Sequence, residues 1–261
     1  MTAATRPVAL ITQASGYVGP ALARLLARSG HDLVLHMPSR AQSTLAAGEG
    51  EGASLADELT ALGATVETVT DVDLTTKDGN EAVVHAALSR FGRLDAACFV
   101  TGSIITGKFL AATVDQWERL KAVNLDMVFY ALQAALPPMV TAGRGQIIVF
   151  TSATGARPEP MVSLYSSTRA GANALVRAVG LEHAKSGVTV NAIGTNYMDF
   201  DGFRKATGAD DPERRTVIEA QVPMRRLGGM EELAEFTAVL LDGRSRFQTG
   251  QFFSYSGGWS T

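Results

Sequence analysis

Residues 147–169 read IIVFTSATGARPEPMVSLYSSTR, and residues 170–198 continue AGANALVRAVGLEHAKSGVTVNAIGTNYM. The run around Gln146–Thr151 is apolar and short, as a buried strand is. At Ser152 it gives way to small polar residues. Leu164–Lys185 reads as a helix, and Val188–Ile193 alternates as a strand should. Strand, helix and strand in this order are the unit of a parallel sheet covered by helices.

The same alternation runs outward in both directions. Val8–Thr12 is a short apolar strand, and Pro20–Ser29 is a helix with Leu22, Leu25 and Leu26 on one face and Gly30 as its stop. Asp32–His36 is the next strand. Residues 38–54 are rich in Gly, Ala and Ser and read as a surface loop, after which Leu55, Leu59 and Leu62 mark a helix stopped by Gly63. Thr65–Val69 (strand), Asp78–Phe91 (helix, closed by Gly92) and Asp95–Val100 (strand) follow. Asp115–Met139 reads as one long helix, with Asp115 as its cap and Pro137-Pro138 near its end. Beyond the central unit come helices near Glu213–Gln221 and Glu231–Leu241 and a last strand, Gln251–Ser254. This pattern predicts an α/β fold: a single Rossmann-like domain over 1–261, a doubly wound parallel sheet of about seven strands with helices on both faces. Residues 198–212 are polar, with Asp199, Asp201, Asp210 and Asp211 among Phe200 and Phe203, and predict a mobile flap within a substrate-covering segment at about 198–222.

Composition bounds the function. A chain of 261 residues builds one large core, and 46% hydrophobic against 19% charged residues is a globular balance. A net charge of −3 gives no general attraction to nucleic acid or to an anionic membrane. Cys98 stands alone, so it forms no internal disulfide, which fits a reducing cytosol. The N-terminal apolar run is too short for a signal peptide and no stretch is long enough to span a bilayer, so a soluble, cytoplasmic protein is expected. His31, His36, His85 and His183 lack metal-ligand spacing. No G-x-S-x-G surrounds Ser152, which argues against a hydrolase elbow.

In parallel sheets the ligand lies beyond the carboxyl ends of the strands, so the loops after Thr12, Val100, Thr151 and Ile193 should meet. Ser152 and Asn196 both fall just past strand ends there. Tyr165 follows Ser152 by thirteen positions, and Arg169 lies four beyond Tyr165, on the same helix face. A phenol is a weak acid with an ordinary pKa of about 10, and a neighbouring cation favours its ionised form. Arginine keeps its proton, so Arg169 supplies field and hydrogen bonds and no proton relay. Tyr165 is therefore a candidate general acid/base.

The loop after the first strand, TQASGYVGP at 12–20, keeps Gly16 and Gly19 but carries Gln13, Tyr17 and Pro20. A dinucleotide loop needs close backbone approach to a pyrophosphate, and an acid about 20 residues on to hold a ribose. No acid stands between Asp32 and Glu49. Arg40 could receive a 2′-phosphate, which leaves an NADP site open.

These residues resemble a known family. The Ser152…Tyr165 spacing, VNAIG at 190–194, PMRRLG at 223–228 and TGQFFSYSGG at 249–258 are similar to the short-chain dehydrogenase/reductase superfamily over nearly the whole chain. Three departures resemble one branch, the halohydrin dehalogenases, and most closely its G-type: YSSTR at 165–169 in place of Tyr-x-x-x-Lys, the aromatic Tyr17 in the glycine loop, and TNYM at 195–198 in place of Pro-Gly. The resemblance implies that Ser152 and Tyr165 bind the substrate oxygen while Arg169 tunes Tyr165. It implies that Tyr17, Thr195, Asn196, Tyr197 and Met198 form the halide or nucleophile pocket, where nicotinamide sits in the reductases. The implied activity is cofactor-independent conversion of vicinal haloalcohols to epoxides, and epoxide opening by azide, cyanide, nitrite or halide, in a homotetramer. Thr195 stands where this branch commonly has Pro. Asn124 matches the helix asparagine of the reductases, which many dehalogenases lack. The chain ends soon after Gly257-Gly258-Trp259, so no long tail is expected to reach a neighbouring subunit. Two other expectations stay open: an NADP-dependent reductase with Arg in place of Lys, and a non-catalytic binding protein on the same fold.

Overall fold

The computed structural model describes residues 6–38 and 51–261. Its elements run β1 (Val8–Ile11), α1 (Gly19–Arg28), β2 (Asp32–His36), α2 (Glu51–Ala61), β3 (Val66–Val69), α3 (Lys77–Phe91), β4 (Ala96–Val100), α4 (Val114–Lys121), α5 (Met127–Ala142), β5 (Gly145–Ser152), α6 (Ser163–Glu182), β6 (Val188–Thr195), α7 (Asp201–Thr207), α8 (Pro212–Glu219), α9 (Met230–Leu241) and β7 (Phe252–Tyr255). All seven strands lie in one parallel sheet, in the order β3-β2-β1-β4-β5-β6-β7. The order reverses between β1 and β4, which opens the ligand crevice of such sheets at their carboxyl ends.

Period-two alternation explains why the strands are apolar on both faces. Ile11, Leu33, Leu35, Ile148 and Phe150 face one core, with Leu22 and Leu26 of α1, Leu55 and Leu59 of α2 and Leu233 of α9. Leu10, Val34, Phe99, Ile147 and Val149 face the other, with Val83 of α3, Leu132 of α5 and Val176 of α6. A strand buried on both sides has no polar face to show. Among the described residues no helix is long and apolar enough to cross a membrane.

Two expectations are corrected. The long helix is divided: α4 ends at Lys121, a π-helical turn spans Ala122–Asp126, and α5 runs on to Ala142. Its cap is Thr113, whose hydroxyl accepts the Gln116 N–H while the Gln116 side chain accepts the Thr113 N–H; Asp115 lies in the first turn. Pro137 and Pro138 sit inside α5, and the stop is Gly143, left-handed at φ +67°. The surface loop expected over 38–54 gives way to α2 at Glu51, because Leu55 and Leu59 need a buried face; residues 39–50, Arg40 among them, lie outside the described residues.

Residues 198–222, expected to form a substrate-covering flap, carry α7 and α8. Of the four acids that suggested a solvated flap, Asp199, Asp201 and Asp210 are ion-paired, and Asp211 caps α8 by accepting the Arg214 N–H. Arg204 meets Asp199 at 2.7 Å, Asp210 at 3.2 Å, and Asp201. Arg215 meets Asp199 at 2.6 Å and Glu219 at 2.9 Å. Ala209, Ile218 and Leu227 are buried together against Tyr197 and Phe203. Gly228 N–H donates to Tyr197 O, and Asp199 N–H to Gly228 O, so the segment is laced to the end of β6.

Two expected outcomes follow from this packing. A Cβ on Gly180 would lie 2.5 Å from Gly250 N and 2.6 Å from Val190 O, so α6 rests directly on β6 and the segment before β7. Gly180→Ala should destabilise the protein by about 2 kcal/mol in urea unfolding at unchanged m, as overpacking does. Burial pushes the Asp199 carboxyl up, but the bonds from Arg215 and Arg204 outweigh it and hold it below its ordinary 3.8. A carboxyl depressed by folding stabilises above its unfolded value and loses that contribution as pH falls through the folded one. Amide hydrogen exchange over 201–219 should therefore quicken below pH 3.8, and Asp199→Asn should remove that pH dependence.

Candidate functional site

Ser152 is the last residue of β5 and pairs in register with Thr195, the last of β6. Its hydroxyl lies 2.9 Å from Thr154 Oγ1, accepts the Thr154 N–H at 3.2 Å, and lies 3.5 Å from Thr195 O. The strand thus ends in a single 3₁₀ turn, Ala153–Gly155, capped by Ser152 itself. A Cβ on Gly155 would lie 2.6 Å from Asn173 Nδ2 and 2.8 Å from the Arg169 carbonyl carbon. That close approach sets the turn after Ser152 against α6.

Tyr165 lies in the first turn of α6, and Arg169 one turn on is 3% exposed. Arg169 Cζ lies 5.3 Å from the Tyr165 ring centroid. Its hydrogen bonds run to the loop after β4: Nη1 donates to Thr101 Oγ1 at 2.9 Å and Nη2 to Thr101 O at 2.6 Å. The guanidinium therefore meets the phenol through the ring face. Asn124 is fully buried in the π-helical turn; its Oδ1 accepts the Ser103 N–H at 3.0 Å, and its Nδ2 donates to Ser103 O at 3.1 Å and Thr168 Oγ1 at 3.2 Å. It ties the β4 loop to α6.

The β1–α1 loop is closed on itself and on β2. Gln13 N–H donates to His36 Nδ1 at 3.2 Å, Ala14 N–H to His36 O, Gly16 N–H to Gln13 O and Gly19 N–H to Gly16 O. His36 Nε2 lies 3.3 Å from Val72 O, which assigns the proton to Nε2 and leaves Nδ1 to accept. Burial lowers the imidazole pKa more than the Val72 bond raises it, so the ring stays neutral. Met37, next in the chain, packs into the core.

Tyr17 holds φ at +52°, which aims its ring across the sheet ends. The ring meets Phe150 and Phe200 edge-on, with centroids 5.7 and 5.1 Å away. Its hydroxyl donates to Thr195 Oγ1 at 2.7 Å. Burial pushes this phenol far above its usual pKa, the Thr195 bond offsets that only in part, and Tyr165 and Arg169 both add to the balance through their charge. Tyr17, Tyr165 and Arg169 therefore share one electrostatic site, in which Tyr17 stays a neutral donor. Four N–H groups of the loop, those of Gln13, Ala14, Gly16 and Gly19, are bonded to protein, and the Tyr17 ring spans the ends of β5 and β6.

The segment after β6 divides. Thr195 joins Tyr17 and Ser152, whereas Tyr197 turns toward α7 and α8. Tyr197 is left-handed at φ +55°, its N–H donates to Asn196 Oδ1 at 3.0 Å, and its hydroxyl donates to Gln221 Oε1 at 2.9 Å. Its ring lies 6.1 Å from Phe203 and 6.0 Å from Trp259. Asn196, Tyr197 and Met198 wall a cavity of about 360 Å³, with Met224, Arg226 and Tyr255 opposite. Among the described residues no group of three or more His, Cys, Asp and Glu could hold a metal. Sequence reasoning missed the direct roles of Thr101, Gly102, Thr154 and Phe150. The one signal for the first two was their place beyond β4, at the point where strand order reverses.

The whole chain has relatives. A family model described as enoyl-(acyl carrier protein) reductase matches residues 14–260. The D-beta-hydroxybutyrate dehydrogenase of Rhizobium meliloti (strain 1021) is 30% identical, over 97% of this chain and 98% of that one. A 3-oxoacyl-(acyl-carrier-protein) reductase of Staphylococcus aureus is 28% identical, over 96% of each. The crystal structure of a candidate gluconate dehydrogenase from Agrobacterium tumefaciens superposes with a TM-score of 0.83 at 26% identity, over 97% of this chain and 95% of that one. With this sheet order and this match along its length, the chain belongs to the short-chain dehydrogenase/reductase superfamily.

Proposed function

We propose that this protein is a halohydrin dehalogenase, which converts vicinal haloalcohols to epoxides without a nicotinamide cofactor and opens epoxides with small anions. The observation that carries the reading is the Tyr17–Thr195 hydrogen bond, which draws an aromatic ring across the strand ends where a hydride donor would have to lie. The residues left at the site suit a reaction with no hydride.

In the forward direction Ser152 holds the substrate hydroxyl and Tyr165 takes its proton. The oxygen attacks the adjacent carbon, the carbon–halogen bond breaks, and halide leaves with the electron pair. The products are an epoxide, a halide ion and a proton, which Tyr165 passes to solvent. In reverse, Tyr165 protonates the oxygen of the opening epoxide while halide, azide, cyanide or nitrite attacks carbon. Arg169 carries a permanent positive charge at the ring of the base, where it stabilises the negative charge that passes through the site.

Thr195 has a specific part in this scheme. Its oxygen accepts from Tyr17, and a hydroxyl that accepts still has its own proton to give. That proton, polarised by the Tyr17 donor behind it, suits a departing anion. The Tyr197 N–H is already bonded to Asn196, so Thr195 and the ring edges of Tyr17 and Phe200 carry this role in its place.

The names of the relatives favour a second reading, an NADP-dependent reductase with Arg169 in place of lysine. It requires the nucleotide to displace Tyr17 from Thr195 and to break the Gln13–His36 bond. The two readings separate in one assay. The purified protein should release halide and acid from a vicinal haloalcohol at the same rate with and without NADPH, and Tyr165→Phe should lower that rate by about 10²–10⁴-fold. Nicotinamide-dependent ketone reduction, or halide release that survives Tyr165→Phe, would overturn the proposal. NADPH fluorescence should stay unchanged on titration with wild-type protein; saturable enhancement would favour the reductase.

A further inference from the structure

Arg169 is buried, and none of the ion pairs among the described residues includes it. Its Nε has no hydrogen-bond partner, so the two Nη groups alone hold the guanidinium. Both end on one residue. The Thr101 hydroxyl donates its proton to Phe150 O at 2.9 Å, which turns a lone pair toward Nη1, while the Thr101 carbonyl takes Nη2.

The next residue supplies the space. Gly102 has φ +108°, and a Cβ there would lie 1.5 Å from Arg169 Nη2, 2.3 Å from Cζ and 2.6 Å from Asn124 Oδ1. The Arg169 guanidinium thus fills the volume that a side chain at position 102 would occupy. Asn124, bonded to both the N–H and the carbonyl of Ser103, fixes the loop on the far side. Gly155 presses on the Arg169 backbone from the other direction.

We propose that Thr101 and Gly102 are positioning residues that seat the Arg169 guanidinium over Tyr165 and restrict position 169 to arginine. The socket presents a hydroxyl and a carbonyl of one residue to two donors of a planar fork. An ammonium is a compact point donor on a flexible stem and cannot bridge both while holding a flat cation over the ring. The importance of the seat for turnover rests on the reading of Tyr165 as the general base; the seat itself rests on geometry alone.

The test compares Thr101→Val, Thr101→Ser and Gly102→Ala with the wild type, by halide-release kinetics, thermal unfolding and crystal structure. Thr101→Val should lower kcat by about tenfold or more, as loss of a hydrogen bond to a charged group does, with KM changed by less than about twofold. Thr101→Ser, which keeps the hydroxyl, should restore kcat. Gly102→Ala should expel the guanidinium and lower kcat at least as far. In an Arg169→Lys background, Thr101→Val should have no further effect, because lysine does not use the socket. Crystals should show the guanidinium displaced in Thr101→Val and Gly102→Ala and retained in Thr101→Ser. Wild-type kcat in Thr101→Val, or an unmoved guanidinium in both Thr101→Val and Gly102→Ala, would overturn the proposal. If the wild type itself releases no halide, the reaction assigned to the site falls, and the crystal structures still decide the seat.

Discussion

A permanent cation buried without a carboxylate is the constraint around which this site is built. Taking a guanidinium out of water carries a large desolvation penalty, and proteins usually meet it with an acid. Arg169 is met instead by dipoles and a ring: the Thr101 carbonyl and hydroxyl, and the face of Tyr165. These contribute partial charges only, so the site keeps a positive balance. On the proposed reading, an anion formed there, a substrate oxygen or a halide, would complete the compensation that the protein leaves unfinished. Each partner of Arg169 in turn fixes a piece of the fold: the end of β4, the turn after β5 and the first turns of α6.

The second constraint lies across the crevice. In this fold the β1–α1 loop ordinarily offers its N–H groups to a phosphate. Here His36 takes the Gln13 N–H through its side chain and the Ala14 N–H through its carbonyl, and Tyr17 reaches over to Thr195. The overall fold is shared with a solved relative at a TM-score of 0.83. Function on a shared fold is argued from the site, which is why relatives 28–30% identical and named as reductases leave the chemistry of this chain to its own residues. Thr195 makes the point residue by residue. The proline common at this place in the dehalogenase branch has no hydroxyl to accept from Tyr17.

The strands and their order of alternation with helices were legible because a strand buried on both faces is a continuous apolar run, and because Gly30, Gly63 and Gly92 punctuate the helices that follow. That Arg169 lies at the face of Tyr165 was legible because helix periodicity turns a spacing of four into a shared face. What escaped had no local signal. Thr113 and Asp115 are both good caps, and only the backbone decides between them. The π-helical turn carries Asn124, which bonds the Ser103 backbone, a contact between residues 21 positions apart in the chain. The acids of 199–210 look solvated until Arg204 and Arg215 are placed among them. Gly102 reads as loop glycine; its reason is the side chain of a residue 67 positions on.

Two phenols meet in this site, and burial assigns them opposite parts. Tyr17 is enclosed by Phe150 and Phe200, and desolvation drives its pKa upward beyond what one hydrogen bond to Thr195 recovers. It can only donate. Tyr165 is partly exposed, at the start of its helix, with the guanidinium against its ring, and it is the phenol that the proposed reading makes the base. If the two were interchangeable, the ring that closes the cofactor crevice would itself become a base and lose the bond that holds it in place. On that reading, environment separates the roles: one side chain stays a fixed donor at the anion end while the other carries protons at the oxygen end. A carbon–halogen bond broken between them would then have a base behind its nucleophile and a hydrogen-bond donor in front of its leaving group.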